Sequence, residues 1–395
     1  MTELAVTGIG VVSPLGVGAA AFFQATRCRD RPANGRTHHE TFDRSTYPRA
    51  RVAEVKGFDA TQYLGDKGLR SLDRLTKLLL VAVRLGLHDA GLKKEGVWAA
   101  GSADRVGIVI SNAYGSLEAI TELDRVATLE DPRYINPSRF PLTVSNTAAG
   151  YASIWEELRA LNVSVSDGNC GALDAMACAD VFLDQGRADA LLVGGAEALS
   201  EALVLAFDRL GALADGARLG EGAAVIAVET PEAARARGAR VLCMIAGYGT
   251  AFVAPNREGS LISASPEAVE RAIAEALTAA RIDARDIDVV VSGISGLRAF
   301  DQAEMVAIRH AVGERACVLA PKLVLGETFG AGGAMAMLTA IAFMPFDADR
   351  PFRPADGPDP MLLRGTIRAE PRNFLVTSMG FYGNASALVM RASSR

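Results

Sequence analysis

The sequence predicts an α/β protein made of two similar halves packed in layers. Three observations carry this. Apolar runs of strand length alternate with stretches of helical periodicity along the whole chain. The order of these patterns in the first part returns in the second. Glycine and alanine are abundant and aromatic residues make up only 6% of the 395 positions, a composition suited to close contact between helices and sheets. The expected division is into residues 1–240 and 241–395.

Residues 4–12 open as a strand ending in glycine-rich punctuation, and residues 72–90 place apolar side chains at helical spacing. A further strand is expected over 105–110. Residues 164–175 read as a strand, a sharp turn and a helix rich in small residues. Residues 191–193 read as a buried strand ending at Gly194-Gly195, and 232–237 as a helix closing the first half. In the second half, 241–246 opens like 4–12, and 287–291 followed by Ser292-Gly293 mirrors 106–110 followed by Ser111-Asn112. Asn169-Cys170-Gly171-Ala172 has a counterpart in Glu327-Thr328-Phe329-Gly330. Each leads a small-residue helix expected to be entered from a strand through a tight turn, and packing the halves together would bring both helix starts to the centre. The uncharged run 328–346 approaches the length of a membrane span. Its glycines and alanines, and the strand before it, argue instead for a helix buried in an α/β core.

Composition excludes several classes. The balance of 41 basic and 46 acidic side chains gives a net charge of −5, with no basic footprint for DNA or RNA. The cysteines (Cys28, Cys170, Cys178, Cys243, Cys317) are scattered, odd in number and without C-x-x-C spacing, as expected of free thiols in a reducing compartment. His38, His39, His88 and His310 form no metal-binding spacing, so neither a metal nor another cofactor is expected. The first residues run into a strand with no basic and apolar leader pattern, which predicts a cytoplasmic protein without a membrane segment.

Asn169 is the most informative position. A strand, a sharp turn and a small-residue helix make the architecture of a nucleophile elbow, which holds one side chain at a helix N-terminus. An amide cannot accept an acyl group there. The position has lost such a chemistry, passed it to Cys170, or taken another role.

Several strings, in register over essentially the whole chain, resemble β-ketoacyl-ACP synthases. They are residues 6–16 (Val-Thr-Gly-Ile-Gly-Val-Val-Ser-Pro-Leu-Gly), Gly194-Gly195-Ala196-Glu197, Gly220-Glu221-Gly222-Ala223-Ala224-Val225 and Gly380-Phe381-Tyr382-Gly383-Asn384-Ala385. Ile135-Asn136-Pro137, with Phe140-Pro141 and Asn146-Thr147-Ala148-Ala149-Gly150, resembles that family's dimer-interface segment. The resemblance implies the thiolase-like fold, two pseudo-equivalent α/β halves forming a layered αβαβα core. Condensing members use a cysteine to hold the acyl group and two histidines to stabilise the enolate left by decarboxylation.

Position by position, the resemblance implies that this machinery is missing. The nucleophile maps to Asn169. Choosing Cys170 would require a deletion inside the helix, turning everything beyond it by about 100°. Ser292 stands in place of the first histidine, with the acidic pair Asp301 and Glu304 downstream. Glu327 stands in place of the second, while Lys322 remains and is expected to pair with Glu304 as a structural ion pair. The mouth loop is shortened to residues 214–219, and Met379 fills the place of a gating phenylalanine.

A non-catalytic chain-length factor of a type II polyketide synthase fits this pattern. Such subunits carry an amide at the cysteine position and pair with an active ketosynthase. The implied partners are that ketosynthase, in a heterodimer, and an acyl carrier protein with its tethered chain. The implied interface residues are Phe140, Asn146, Tyr151 and Trp155. The candidates for closing the chain tunnel are Tyr114, Leu117, Glu118 and Thr121, together with Met379, and the product leans toward a polyene or reduced polyketide. The alternative is a malonyl-ACP decarboxylase that primes synthesis, but it needs the missing histidines, and a Glu327 carboxylate would oppose an enolate.

Overall fold

The computed structural model describes residues 3–27, 43, 45–48, 50–98, 103–213, 216–255, 261–344, 361–368 and 370–393. Cys28, His38, His39 and the mouth-loop residues Ala214 and Asp215 lie outside them.

Two runs of strands repeat one topology. In the N-terminal half the order outward from the middle is Leu4–Ser13, Gly222–Glu229, Ala190–Glu197, Val106–Ser111 and Asn162–Val165. In the C-terminal half it is Cys243–Phe252, Asn384–Ala392, Asn373–Met379, Val289–Val291 and Cys317–Leu319, with Leu362–Arg364 beyond. The inner three strands of each run pair antiparallel. The next two pairings outward are parallel. The runs join where residues 4–6 pair antiparallel with residues 243–245.

The helices make the layers. Arg74–Asp89 and Thr147–Glu156 cover one outer face, with Leu78, Leu79 and Ala152 in its cluster. Pro266–Ala280 and Arg298–Val312 cover the other, with Ile273 and Ile308 in theirs. Between the halves lie the elbow helix Gly171–Asp184 and its counterpart Gly332–Phe343, packed through Leu173, Met176, Met335 and Leu338. Thr147–Glu156, Pro266–Ala280 and Arg298–Val312 each bury one stripe, whereas Arg74–Asp89 is buried all round over residues 78–83. Arg74–Asp89 is also capped by Asp73, which accepts from the Thr76 amide at 2.9 Å. Gly332–Phe343 is buried on every side, so an apolar residue is accommodated at each turn. No described helix is long and apolar enough to cross a membrane.

Two expectations need correction. The strand Ala190–Glu197 does not end at Gly194-Gly195 but runs through both. A Cβ on Gly195 would lie 2.1 Å from the Gly330 carbonyl oxygen, so the glycine serves the close approach of the halves. The counterpart helix is not entered directly from a strand. After Cys317–Leu319 comes the short helix Lys322–Leu325, ended by Gly326 at φ +79°, and then the single turn Phe329–Ala331. The elbow helix is entered as expected, from Asn162–Val165 through the turn Gly168–Cys170, where Gly168 takes φ +51°.

Candidate functional site

The two helix starts meet at the centre and bring Asn169, Glu327 and Lys322 together. Asn169 is buried in its turn, and its carbonyl accepts from Ser378 Oγ at 2.7 Å. Its Nδ2 donates to Glu327 Oε2 and to the Met379 carbonyl, both at 3.4 Å, while Oδ1 has no protein partner among the described residues. Lys322 Nζ lies 2.8 Å from Glu327 Oε1 and 3.0 Å from Oε2. Glu327 Oε1 also accepts from the Phe329 amide at 2.9 Å. That bond holds Phe329 in its left-handed conformation at φ +41°. The sequence paired Lys322 with Glu304, but the lysine turns to Glu327, which sits one short helix away on its own segment.

Ser292 does not join this group. Its hydroxyl and its amide both donate to the Leu319 carbonyl, at 2.9 and 2.8 Å, so it faces its own sheet. Glu304 accepts from the Gly293 amide at 2.8 Å and from Thr377 Oγ1 at 2.6 Å, and burial raises its pKa. Asp301 accepts from the amides of Ser295 and Gly296 at 3.0 and 2.9 Å, and burial raises its pKa too. These acids hold the loop 293–296 in shape.

Cys170 is fully buried, and its Sγ faces the Ser378 carbonyl at 3.5 Å, on the strand Asn373–Met379. Burial pushes the thiol far up, and the carboxylates of Asp174 and Asp167 add to this, so thiolate is suppressed. Asp174 accepts from Tyr248 Oη at 2.7 Å and Ser386 Oγ at 2.6 Å, and Asp167 accepts from Asn384 Nδ2 at 3.1 and 3.0 Å. These bonds tie the elbow to the C-terminal half. Burial, and then Asp167, push Asp174 up to about 7.

Glu197 is a central residue whose role sequence reasoning missed. It is fully buried and accepts from the amides of Ala113 at 2.8 Å, Tyr114 at 3.2 Å and Gly330 at 3.2 Å. Burial pushes it up to about 7. It joins the loop leading to the helix Leu117–Leu129 with the turn of the opposite half. The available signal was a carboxylate at the end of an otherwise apolar buried strand.

The gate candidates separate into three places. Tyr114 and Leu117 pack at the edge of an aromatic cluster; Phe329 stands 5.0 Å from the Tyr114 ring, 5.3 Å from Phe207 and 6.4 Å from Phe381. Glu118 and Thr121, on the helix Leu117–Leu129, line a cavity of about 1190 Å³ with Phe58, Leu69, Arg74 and Lys77. Met379 is apart from both. Its side chain is buried in the outer cluster of the C-terminal half and only its carbonyl turns toward Asn169, because alternation along the strand Asn373–Met379 sends its side chain outward.

The interface candidates also divide. Phe140 is 65% exposed and Asn146 is exposed, beside Ile154 at 78%. Tyr151 and Trp155 are half-buried and pack on their own subunit's outer cluster. The strand Asn162–Val165 forms the outer edge of the sheet beside them.

Comparison with known proteins places this geometry. The sequence matches the β-ketoacyl synthase N-terminal domain over residues 1–234 and the C-terminal domain over residues 242–348. The chain belongs to the β-ketoacyl synthase family. It is 30% identical to polyketide β-ketoacyl synthase 1 of Streptomyces halstedii, covering 100% of this chain and 99% of that protein. It is 28% identical to 3-oxoacyl-[acyl-carrier-protein] synthase 2 of Vibrio cholerae, covering 87% and 86%. Among solved structures, the ishigamide ketosynthase/chain length factor is similar at TM-score 0.85 and 22% identity, and a β-ketoacyl synthase from Burkholderia phymatum at 0.83 and 25%, each covering 100% of both chains. The thiolase-like ketosynthase fold is therefore shown.

As a ketosynthase centre, the arrangement offers no acyl acceptor. The amide of Asn169 is not a nucleophile, and Cys170 is a buried, protonated thiol. The described histidines, His88 and His310, are both exposed on outer helices. Lys322 and Glu327 satisfy each other, and among the described residues no cluster is suited to a metal.

Proposed function

We propose that this chain is a non-condensing ketosynthase-like subunit, a chain-length factor that pairs with an active ketosynthase and shapes the tunnel for its growing polyketide. The buried Lys322–Glu327 pair, with Asn169 against it, supports this reading: on the resemblance Asn169 takes the acceptor's position and Glu327, closed on Lys322, that of one imidazole. Such a pair leaves nothing to stabilise an enolate. The reading assigns Asn169, Ser292 and Glu327 as replaced catalytic positions and residues 1–240 and 241–395 as the two halves.

The outer face supports a partner. Phe140, Val144 and Ile154 are exposed near a sheet edge with no further strand among the described residues, an arrangement that invites another chain. Among the relatives, one is a polyketide synthase and one structural neighbour is a ketosynthase/chain length factor. In this reading the tunnel ends on the side of Glu118 and Thr121, which line an open cleft of about 1190 Å³, and serves a polyene or reduced polyketide.

Co-expression with an active ketosynthase tests this. A stable heterodimer that extends chains from a malonyl carrier only with both subunits present, and with the partner's cysteine essential, is expected. Condensation by this chain alone would overturn the reading. Decarboxylation without a partner, lost in Asn169→Ala, would turn it toward malonyl-carrier decarboxylation. Leu117→Ala should lengthen products and Thr121→Phe shorten them.

A further inference from the structure

Two arginines stand side by side near Glu327 with no counter-charge among the described residues. The short strands Val52–Ala53 and Leu219–Gly220 pair in parallel, with Val52 opposite Leu219. The Leu219 amide donates to the Arg51 carbonyl at 3.0 Å, so Arg51 and Arg218, each preceding its strand, are neighbours across the pair. Leu219 turns into the aromatic cluster. Arg218 is half-buried, and its one side-chain hydrogen bond among the described residues is a long 3.5 Å contact from Nη1 to the Val324 carbonyl. Neither arginine forms an ion pair among the described residues. Burial lowers the Arg218 pKa and the charge of Arg51 lowers it further, with no carboxylate acting the other way.

Like charges opposite each other on paired strands are destabilising, and a half-buried guanidinium normally has an anionic partner. Elsewhere in this molecule the rule is kept, with Arg74 held by Glu221 and Arg237 by Glu229. The backbone at Arg218 also leads to the centre, since its carbonyl accepts from the Glu327 amide at 2.6 Å.

We propose that Arg51 and Arg218 form an anion site that takes the phosphate group of a small molecule. Two unpaired guanidinium groups match the roughly −1.5 to −2 charge of a phosphate monoester near pH 7, and each presents a planar fork to its oxygens. A carboxylate would leave one arginine uncompensated. Arg51 is exposed and Arg218 half-buried, so the ligand enters from solvent and is gripped at depth by Arg218. The site is independent of whether the chain acts as a chain-length factor.

Thermal unfolding of the full chain, titrated with inorganic phosphate or glycerol phosphate at constant ionic strength, tests this. The expected result is a saturable rise of about 2 °C at tenfold excess over the dissociation constant. Acetate should give none, and the rise should vanish in Arg218→Leu and shrink in Arg51→Gln, whose exposed side chain can change without disturbing the fold. No saturable rise in the wild type, or an equal rise in acetate or in Arg51→Gln, would overturn the assignment.

Discussion

The centre of the molecule and the face beside the sheet edge differ in how far each completes itself. At the centre, Lys322, Glu327 and Asn169 are buried and turned to one another, and Glu197, Asp301 and Glu304 are absorbed in holding backbone amides. Around the edge strand Asn162–Val165, Phe140 and Ile154 expose apolar surface that their own subunit leaves uncovered. A surviving acyltransferase would show the opposite, with unsatisfied reactive groups facing a pocket. The contrast sets a centre whose polar groups satisfy one another against a face that stays open, and it can be broken at either end.

The largest effect is expected at the central ion pair. Glu327→Leu leaves Lys322 charged and buried, and losing one partner of such a pair costs about 3–5 kcal/mol. The double variant Lys322→Met/Glu327→Leu should recover most of this, because two apolar side chains replace the charges together. Urea unfolding of the three proteins reads the difference; a single variant as stable as wild type would mean that the centre is open to water.

Next comes a pH dependence. Burial raises Glu197 from 4.5 to about 7, so the folded protein keeps a proton that the unfolded chain releases over that interval. Its stabilising contribution is complete below the unfolded value and is lost as pH rises through about 7, by up to about 3 kcal/mol. Asp174, raised from 3.8 to about 7, acts in the same direction. Urea midpoints should therefore fall between pH 5 and 8, and less steeply in Glu197→Gln. An identical slope in that variant would place the titration elsewhere.

The outer face gives a smaller, binding-specific change. In the proposed heterodimer, Ile154→Asp should weaken pairing by about 2 kcal/mol, some thirtyfold, while leaving the isolated chain's unfolding midpoint unchanged. Analytical sizing against the partner's concentration measures this. Unimpaired pairing would move the interface away from this face.

The sequence made the architecture legible because burial on both sides of the strands leaves near-continuous apolar runs, and because the halves repeat. It also brought out Asn169 and Glu327 as a meeting pair, since each opens a small-residue helix. The partner of Lys322 was not legible: the resemblance implied Glu304, whereas the short helix Lys322–Leu325 brings the lysine to Glu327 on its own segment. Nor were the gate residues. Tyr114 is placed by an aromatic cluster drawn from four distant segments, while strand alternation turns Met379 away from it and Thr121 faces an open cleft. Glu197 was visible only as part of a signature, because its partners are backbone amides that carry no sequence mark.

The smallest effect on stability is expected at Asn169, where the resemblance puts a nucleophile. Asn169 makes two long bonds and leaves Oδ1 without a protein partner, so Asn169→Cys should alter stability by less than about 1 kcal/mol. It restores the one atom type that a condensing centre needs for acyl transfer, yet the new thiol would face the Glu327 carboxylate, which disfavours a thiolate, with no imidazole to take its proton. Acyl loading followed by mass spectrometry should therefore find the variant unmodified at neutral pH. Adding Glu327→His to Asn169→Cys replaces the opposing charge with a base, and loading should then become detectable. Loading of Asn169→Cys alone would show that the ion pair does not close the site, and the distinction between a sealed centre and an open face would fail.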